Sequence, residues 1–300
     1  MFIQQLINGL TLGAIYALIA LGYTMVYGIL ELINFAHGEI YMMGGYIAII
    51  VITLLTPGLA NSSNAIFILP LIFLAAMLFC AILGITIERF AYRPLRNAPR
   101  LAPLITAVGV SLFLQNAAMI IFGSENKIFP VIFPEGALHF GNTQISYLQI
   151  FILISCIILM IALQLFIKRT KLGVAMRATA QDREAAALMG ININRVISST
   201  FFIGSALGAA AGVMVGMYYG VVKYDMGYVA GIKAFTAAVL GGIGNIPGAM
   251  FGGVLLGVLE SFGAGYISSA YKDAFAFAIL VIVLIFKPAG LFSEGSHERS

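Results

Sequence analysis

Apolar segments of about twenty residues recur along this 300-residue chain, separated by short polar intervals. A helix needs about 20 apolar residues to cross a bilayer, so each segment is a candidate membrane span. Hydrophobic residues make up 61% of the chain and charged residues only 9%, whereas a soluble domain has roughly 25% charged residues. These features exclude an ordinary soluble protein. They predict an all-α polytopic membrane protein with one transmembrane domain over residues 1–300.

We expect about eight spans along the chain: Leu6–Gly28, Phe35–Leu55, Ile66–Ile87, Leu101–Phe122, Tyr147–Ile167, Ile197–Val222, Gly231–Ser261 and Tyr271–Phe286. A polar turn at Asn61–Asn64 separates the second span from the third, and Gly9 and Gly13 suit close helix contact in the first.

The region 231–262 is interrupted by glycines and a proline at Gly241–Gly248. Such a run in mid-membrane is tolerated only where protein or a water-filled cavity satisfies the freed backbone groups. The region therefore forms either one broken crossing or a hairpin of two segments, which would raise the number of segments to nine. The C-terminal tail would be external in the first case and cytoplasmic in the second, which we favour.

The basic residues predict the orientation of the chain. Ten of the sixteen lysines and arginines lie in two loops, namely Arg89, Arg93, Arg96 and Arg100, and Lys168, Lys171, Arg169, Arg177, Arg183 and Arg195. The positive-inside rule makes both loops cytoplasmic and the amino terminus external. The interval 123–146 has few cations and several prolines and glycines, so it is expected to be an external loop. The net charge of +4 is thus explained by the membrane and does not indicate nucleic-acid binding.

Residues 168–196 form the only long polar interval between spans. Ala178–Met189 contains strong helix formers, with acidic residues near its start, where the helix dipole favours negative charge. Gly190 is suited to end that helix because glycine adopts left-handed backbone without strain. The predicted short helix has a smooth alanine face that would dock into a cleft on another protein. A solvated, alanine-rich connector is the alternative.

The sixth span carries a glycine at every fourth position, at Gly204, Gly208, Gly212, Gly216 and Gly220. Small residues at this spacing allow two helix backbones to approach closely in a membrane. We therefore expect a central packing helix, in contact with other helices of the subunit or with a partner. Cys80 and Cys156 fall within apolar spans and are expected to be packing residues.

His37 and Glu39 are ionisable groups at the head of the second span, where Asn34 and Gly38 accompany them. Because the chain has no second histidine at zincin spacing and no Gly-x-Ser-x-Gly motif, metal or nucleophilic catalysis is not indicated. In a structural interpretation, His37 and Glu39 cap a helix at the membrane interface, with Asn34 as the N-cap. Ionisable groups in or near spans usually face a cavity or a partner, however.

Three stretches resemble a known family. Glu184-Ala185-Ala186-x-x-x-Gly190 between two spans resembles the coupling loop of ABC importer permeases. Asn34-x-x-His37-Gly38-Glu39 and Gly241–Gly253 are similar to segments of the branched-chain amino acid (LivH-type) permease family, and the resemblance runs over nearly the whole chain. Shared Asn and Gly residues in these two stretches also suggest two related halves, as transporters often have. The implied fold is the ABC importer permease architecture.

The resemblance implies a permease subunit of an ATP-driven importer of leucine, isoleucine and valine in a bacterial inner (cytoplasmic) membrane. It also implies specific partners: a second homologous permease subunit, two cytoplasmic ATPase subunits and a periplasmic or lipid-anchored solute-binding protein. The sequence contains no Gly-x-x-x-x-Gly-Lys-Ser/Thr phosphate loop. ATP and magnesium are therefore expected in the partner subunits, and no catalytic residue, metal or cofactor is expected in this chain.

Two sets of site residues are expected in a permease of this kind. Those expected to couple the permease to the ATPase are Arg177, Asp182, Glu184, Ala185, Ala186 and Gly190. Those expected to line the translocation pathway, with the head of the second span beside the glycine-rich interruption, are Asn34, His37, Gly38, Glu39, Gly244, Asn245, Pro247, Gly248 and Glu260.

Two other functions remain open at this point. A permease of the same family for urea or short amides would share these motifs. An ATP-independent channel or secondary transporter would need charged residues inside the spans, for which the few candidates are Glu39, Lys233, Glu260, Lys272 and Asp273. We expect Lys233, Lys272 and Asp273 to lie near segment ends, where long side chains reach the interface. Glu260 is either a functional group or a hydrogen-bonded helix contact.

Overall fold

The computed structural model describes residues 1–55, 68–96, 98–99, 101–134, 136–141, 143–287 and 289–292. Within these residues the helices are α1 (Phe2–Leu30), α2 (His37–Leu55), α3 (Leu69–Ile87), α4 (Leu101–Phe122), α5 (Tyr147–Arg169), α6 (Lys171–Gln181), α7 (Arg183–Leu188), α8 (Ile193–Tyr219), α9 (Met226–Gly241), α10 (Ile246–Tyr266) and α11 (Lys272–Phe286). A π-helical turn (Glu88–Tyr92) and a 3-10 turn (Arg93–Leu95) extend α3, and another 3-10 turn (Ser269–Tyr271) precedes α11.

Two small antiparallel sheets lie in the connections. Strand β1 (Lys127–Ile128) pairs with β4 (Val221–Val222), and β2 (Ala137–Phe140) pairs with β3 (Thr143–Ser146). The predicted polar turn Asn61–Asn64, Arg100 and the tail from residue 293 onward lie outside the described residues.

Eight helical segments in the described part of the chain are long and apolar enough to cross a membrane, and α9 is a shorter apolar helix of 16 residues. The interrupted region is a hairpin, because α9 and α10 run in opposite directions on either side of a turn at 242–245. The hairpin begins earlier than expected, at Met226 rather than Gly231. The sixth span ends earlier, because Val221 and Val222 belong to a strand.

Hydrogen bonds show which helix ends share a side of the membrane. Near the start of α1, the side-chain oxygen of Gln4 accepts from the Gln144 N–H at 2.9 Å. At the opposite side, the Leu291 N–H donates to the Leu240 carbonyl at 2.9 Å, so the chain after α11 returns to the α9–α10 turn. The C-terminal end of α1 lies on that same side, beside α7. Residues 289–292 therefore lie on the same side as α7 and the end of α1, which is the side that the hairpin interpretation predicts for the tail.

The core is organised around α1 and α8, which are the most buried helices. Helix α1 packs against α10 through glycines on both. A Cβ added at Gly9 or Gly13 would lie 2.7 Å from the Cα of Val258 or Val254, which is closer than real side chains approach. Because lipid tails provide no hydrophobic force between helices, this close van der Waals packing stabilises the pair.

Helix α8 uses its glycine series for contacts within the subunit. A Cβ at Gly204 would lie 3.3 Å from Gly22 of α1, and one at Gly208 would lie 3.4 Å from the His37 ring. Gly212 is pressed against the Tyr41 carbonyl, and Gly216 against the Phe129 ring.

Gly220 does not belong to this packing series, so that part of the prediction is wrong. It has a φ of 69°, nothing lies within 4 Å of its Cβ position, and its N–H bonds to Gly216 O as α8 ends. Its role is to end the helix with left-handed backbone.

Candidate functional site

The polar interval 168–196 contains two helices where one was predicted. The expected helix Ala178–Met189 is broken at Asp182, whose backbone is extended with φ −156° and ψ 113°. The Asp182 carboxylate accepts the N–H groups of Glu184 and Ala185 at 2.9 and 3.0 Å. An aspartate in this position caps a helix by satisfying its unpaired first N–H groups. Asp182 therefore ends α6 and begins α7.

Gly190 ends α7 with the left-handed backbone expected of it, at a φ of 82°. The next N–H, from Ile191, donates back to the carbonyl of Ala186 at 3.0 Å. This closure fixes where the short helix stops and where α8 begins.

The exposed surface of α7 differs from the predicted alanine face. Ala186 is only 4% exposed and packs into its own chain, so its assignment to a partner-facing surface is wrong. Ala185 and Glu184 are exposed, as is Arg177 on α6. The sequence reasoning missed Leu188 and Met189, which are 88% and 83% exposed. Two long apolar side chains directly before a glycine stop, in an otherwise polar interval, were the available signal.

Arg183 joins α7 to the central helix. Its Nε donates to the carbonyl of Ile29 at 2.8 Å, and its Nη2 donates to the same oxygen. Ile29 lies in the last turn of α1, where carbonyls have no partner within the helix. Glu31 follows with a positive φ of 55° and ends α1. The segment 168–196 is therefore bonded directly to the end of the most buried helix.

The α9–α10 turn lies beside this junction. Gly244 approaches Gly28 of α1, and Gly244 is exposed with a φ of 92°. The Asn245 side chain accepts the Gly248 N–H at 3.0 Å and donates to the Phe292 carbonyl at 2.8 Å. Pro247 occupies the first turn of α10, where its missing N–H is harmless.

This geometry corrects the expected position of the glycine-rich interruption. Gly244, Asn245, Pro247 and Gly248 lie at the turn of a hairpin, on the same side as the end of α1 and α7. They are not beside the head of α2 in mid-membrane. The interruption is a turn between two helices, so its backbone groups are satisfied by ordinary capping.

The head of α2 lies deep inside the subunit. Its first residue, His37, lies beside Gly208 near the middle of α8. The segment from Asn34 that precedes it is non-helical and largely buried. Gly38 packs against the first turns of α9, at Gly227 and Gly231. The amino-terminal ends of α2 and α9 therefore meet within the helix bundle.

Several buried polar groups surround this meeting point. The Ser111 hydroxyl donates to one oxygen of Glu39 at 3.0 Å, while the other oxygen, Oε2, has no hydrogen-bond partner among the described residues. Tyr23 and His37 are also buried, beside the backbone of Gly38 and Ile19; their hydroxyl and Nε2 lack a partner at full hydrogen-bond geometry among the described residues, and their rings lie 5.0 Å apart. Unpaired polar groups are costly inside a membrane, so their concentration here marks a functional candidate.

The interfacial-cap interpretation of this segment is wrong. His37 and Glu39 are fully buried. The side-chain oxygen of Asn34 accepts from the Tyr92 hydroxyl at 2.7 Å, and only its backbone carbonyl receives the His37 N–H.

Glu260 belongs to a second buried cluster, which joins four helices. Lys233 Nζ lies 2.8 Å from Glu260 and 2.6 Å from Asp273, and Lys272 lies 3.3 Å from Glu260. The Tyr16 hydroxyl donates to Glu260 at 3.1 Å. The expectation that Lys233 lies near a segment end is wrong, because it is buried within α9. Two cations thus compensate the fully buried Glu260, as buried charges in membranes require, and Asp273, whose side chain is 57% exposed.

The comparisons with known proteins agree with this architecture. The family described as "Branched-chain amino acid transport system / permease component" matches residues 5–284. The high-affinity branched-chain amino acid transport system permease protein BraD of Pseudomonas aeruginosa is 51% identical, over 99% of this chain and 98% of BraD. The corresponding protein LivH of Escherichia coli K12 is 45% identical, over 99% of this chain and 97% of LivH.

A solved structure, PsaBC from Streptococcus pneumoniae in complex with Fab, matches 96% of this chain and 93% of its own with a TM-score of 0.50. Its 13% identity supports the fold alone. The family match and two near-full-length relatives confirm the predicted fold class and the resemblance. The chain belongs to the family of branched-chain amino acid transport system permease components.

Proposed function

We propose that this chain is the membrane-spanning subunit of an ATP-driven importer of leucine, isoleucine and valine. The observation that carries the proposal is the end-to-end similarity to BraD, at 51% identity over 99% of the chain. A permease for urea or short amides is less well supported, because BraD and LivH, which resemble this chain over nearly its whole length, are named for branched-chain amino acids.

Family membership and the eight long apolar segments make this a multi-pass protein of the bacterial inner (cytoplasmic) membrane. Its own sequence contains no phosphate-binding loop. ATP hydrolysis is therefore assigned to two separate cytoplasmic ATPase subunits. A second, homologous permease subunit and a solute-binding protein complete the proposed assembly.

The coupling contact is proposed to be the exposed end of α7. Leu188 and Met189 project beside Ala185 and Glu184, and Gly190 fixes the position of this surface. Exposed apolar side chains in a charged cytoplasmic segment suit a pocket on a partner protein, where they would be removed from water. We therefore assign Leu188 and Met189 as the apolar anchors for the ATPase.

Movement of α7 would reach the pathway through α1. Arg183 fastens α7 to Ile29, and α1 carries Tyr23 to the meeting point of α2 and α9. A displacement of α1 would separate His37 from Gly22, the glycine of α1 that encloses it. Polar groups that are buried in this conformation would then face the solute in another, as alternating access requires.

The identity of the solute is tested by reconstituting the full assembly with its binding protein in proteoliposomes. We expect ATP-dependent accumulation of radiolabelled leucine, isoleucine and valine, with no accumulation of urea or acetamide. Accumulation of urea in preference to leucine would contradict the proposed substrate while leaving the family assignment intact.

A further inference from the structure

A polar cavity of about 170 Å³ lies at the cytoplasmic side, between the end of α1, the turn after α3, the start of α4 and α7. Arg96 and Arg183 line it together with Glu31, Ala98 and Pro103. We call this cavity the arginine pocket. Arg183, which links α7 to α1, lines it, whereas the exposed anchors Leu188 and Met189 do not.

The residues that line the pocket include one more cation than anion, and Glu88, outside the lining, pairs with Arg96. Arg96 and Arg183 bring two guanidinium groups, whereas Glu31 is the only acidic side chain among the lining residues described. Burial lowers the pKa of Arg96, and the positive charges of Arg93 and Arg183 lower it further. The carboxylate of Glu88 raises this pKa but does not cancel the decrease. Cations that repel one another in a shared cavity favour the entry of an anion.

Arg96 also retains an unused donor. One of its terminal nitrogens pairs with the buried Glu88, and the other donates to Asn194. Its Nε is buried and has no acceptor among the described residues. A guanidinium presents its donors in a rigid plane that matches the oxygens of a phosphate.

The surroundings place the pocket at the boundary with lipid. Phe90 in the turn after α3 is exposed, and so are Leu101 and Ile105 at the start of α4. Apolar side chains exposed beside arginines are typical of the level where acyl chains meet headgroups. These exposed apolar side chains beside the pocket favour a lipid headgroup over a polar side chain of the ATPase.

We propose that the arginine pocket binds the phosphate of an anionic phospholipid headgroup from the cytoplasmic leaflet. The phosphate lies between Arg96 and Arg183, and the acyl chains lie along the exposed face of α4. Because Arg183 also holds Ile29, the bound headgroup stabilises the junction between α7 and α1. Basic pockets on the cytoplasmic side of transmembrane helices suit this ligand class. The proposal concerns a lipid and does not depend on the solute that is transported.

The test uses the purified importer assembly, titrated in detergent with phosphatidylglycerol and analysed by native mass spectrometry. Ala98→Asp places a carboxylate inside the pocket without removing a known side-chain contact, and Arg183→Gln removes one guanidinium. We expect both variants to bind phosphatidylglycerol at least tenfold more weakly than the wild type. Ala98→Ser and Arg89→Gln are the matched controls, because serine adds no charge and Arg89 is exposed outside the pocket. Both controls are expected to bind like the wild type.

Four results would overturn the proposal. Unchanged lipid binding in Ala98→Asp would show that the lipid lies elsewhere, and an equal loss in Arg89→Gln would show diffuse attraction to surface charge. Displacement of the lipid by inorganic phosphate, at a concentration lower than the one at which the lipid binds, would assign the pocket to free phosphate. Loss of an ATPase subunit from Ala98→Asp with normal lipid binding would instead identify a protein contact. Leucine uptake, measured separately, distinguishes failure of this proposal from failure of the proposed function.

Discussion

The Nε atom of Arg183 lies 2.8 Å from the carbonyl oxygen of Ile29, across 154 residues of sequence. Through this contact the first residue of α7 completes the last turn of α1. The segment proposed to dock on the ATPase is thereby connected to the helix at the centre of the fold. Within the described residues, no other side chain of α7 forms a hydrogen bond with α1, so this arginine is the main mechanical link between the two helices.

Replacing Arg183 by glutamine should uncouple ATP hydrolysis from transport. A hydrogen bond from a charged group contributes about 1.5–3 kcal/mol, so its loss corresponds to roughly tenfold or more in a coupling equilibrium. We expect leucine uptake to fall by about that factor while the ATPase activity of the assembly persists. Arg195→Gln, an exposed arginine at the start of α8, is the control and should transport normally. Normal uptake by Arg183→Gln would show that the link is dispensable.

Gly190→Val should uncouple transport while leaving membrane insertion intact. There is open space at the Cβ position of residue 190, but a valine backbone at a φ of 82° is strained by about 1 kcal/mol or more. The end of α7 would therefore move, and with it Leu188 and Met189. Gly190→Asn is the control, since asparagine tolerates left-handed backbone. Leucine uptake and co-purification of the ATPase subunits provide the measurement, and full uptake by the valine variant would count against a fixed α7 end.

Glu39→Gln tests the meeting point of α2 and α9. The amide keeps the shape of the carboxylate and can still accept from Ser111, so the subunit should fold and assemble. If the unpartnered oxygen of Glu39 faces the solute in another conformation, leucine uptake should fall by more than about tenfold. The reason is that a hydrogen bond to a charged group contributes about 1.5–3 kcal/mol to binding. Glu125→Gln, in the external loop, is the matched control. Equal uptake by the two variants would exclude Glu39 from the pathway.

Lys233→Met should destabilise the subunit, since it leaves the buried Glu260 with Lys272 as its only cationic partner within the described residues. Removing one partner of a buried ion pair costs about 3–5 kcal/mol, whereas replacing both partners by apolar residues is often neutral. The melting temperature of Lys233→Met in detergent should therefore drop clearly, and that of Lys233→Met with Glu260→Met should recover. The exposed Lys287→Met serves as control. A double variant less stable than the single one would mean that the cluster stabilises the fold beyond charge compensation.

Sequence reasoning succeeded where the signal is local. Apolar segments identify the spans because crossing a bilayer requires a length of helix, and the glycine at position 190 indicates a stop because of its backbone freedom. The break at Asp182 is also local, but helix formers on both sides concealed it. Whether an aspartate lies within a helix or caps the next one depends on a backbone angle that its neighbours do not specify.

The remaining features depend on contacts between residues far apart in the sequence. Lys233 can be buried because it pairs with Glu260 and Asp273, which come from two other helices. No pattern in the sequence indicates either pairing. Ala186 faces inward because of how α7 lies on the subunit. Composition left open whether residues 231–262 form one broken crossing or a hairpin, and the packing of α9 against α10 shows that they form a hairpin.

ATP-dependent accumulation of radiolabelled leucine in proteoliposomes, with and without the ATPase subunits, decides whether this chain works as the permease of an ATP-driven importer. We expect uphill uptake only when this permease, its partner subunits, the binding protein and ATP are all present. Uphill uptake by the permease in vesicles that lack any ATPase subunit would contradict this expectation.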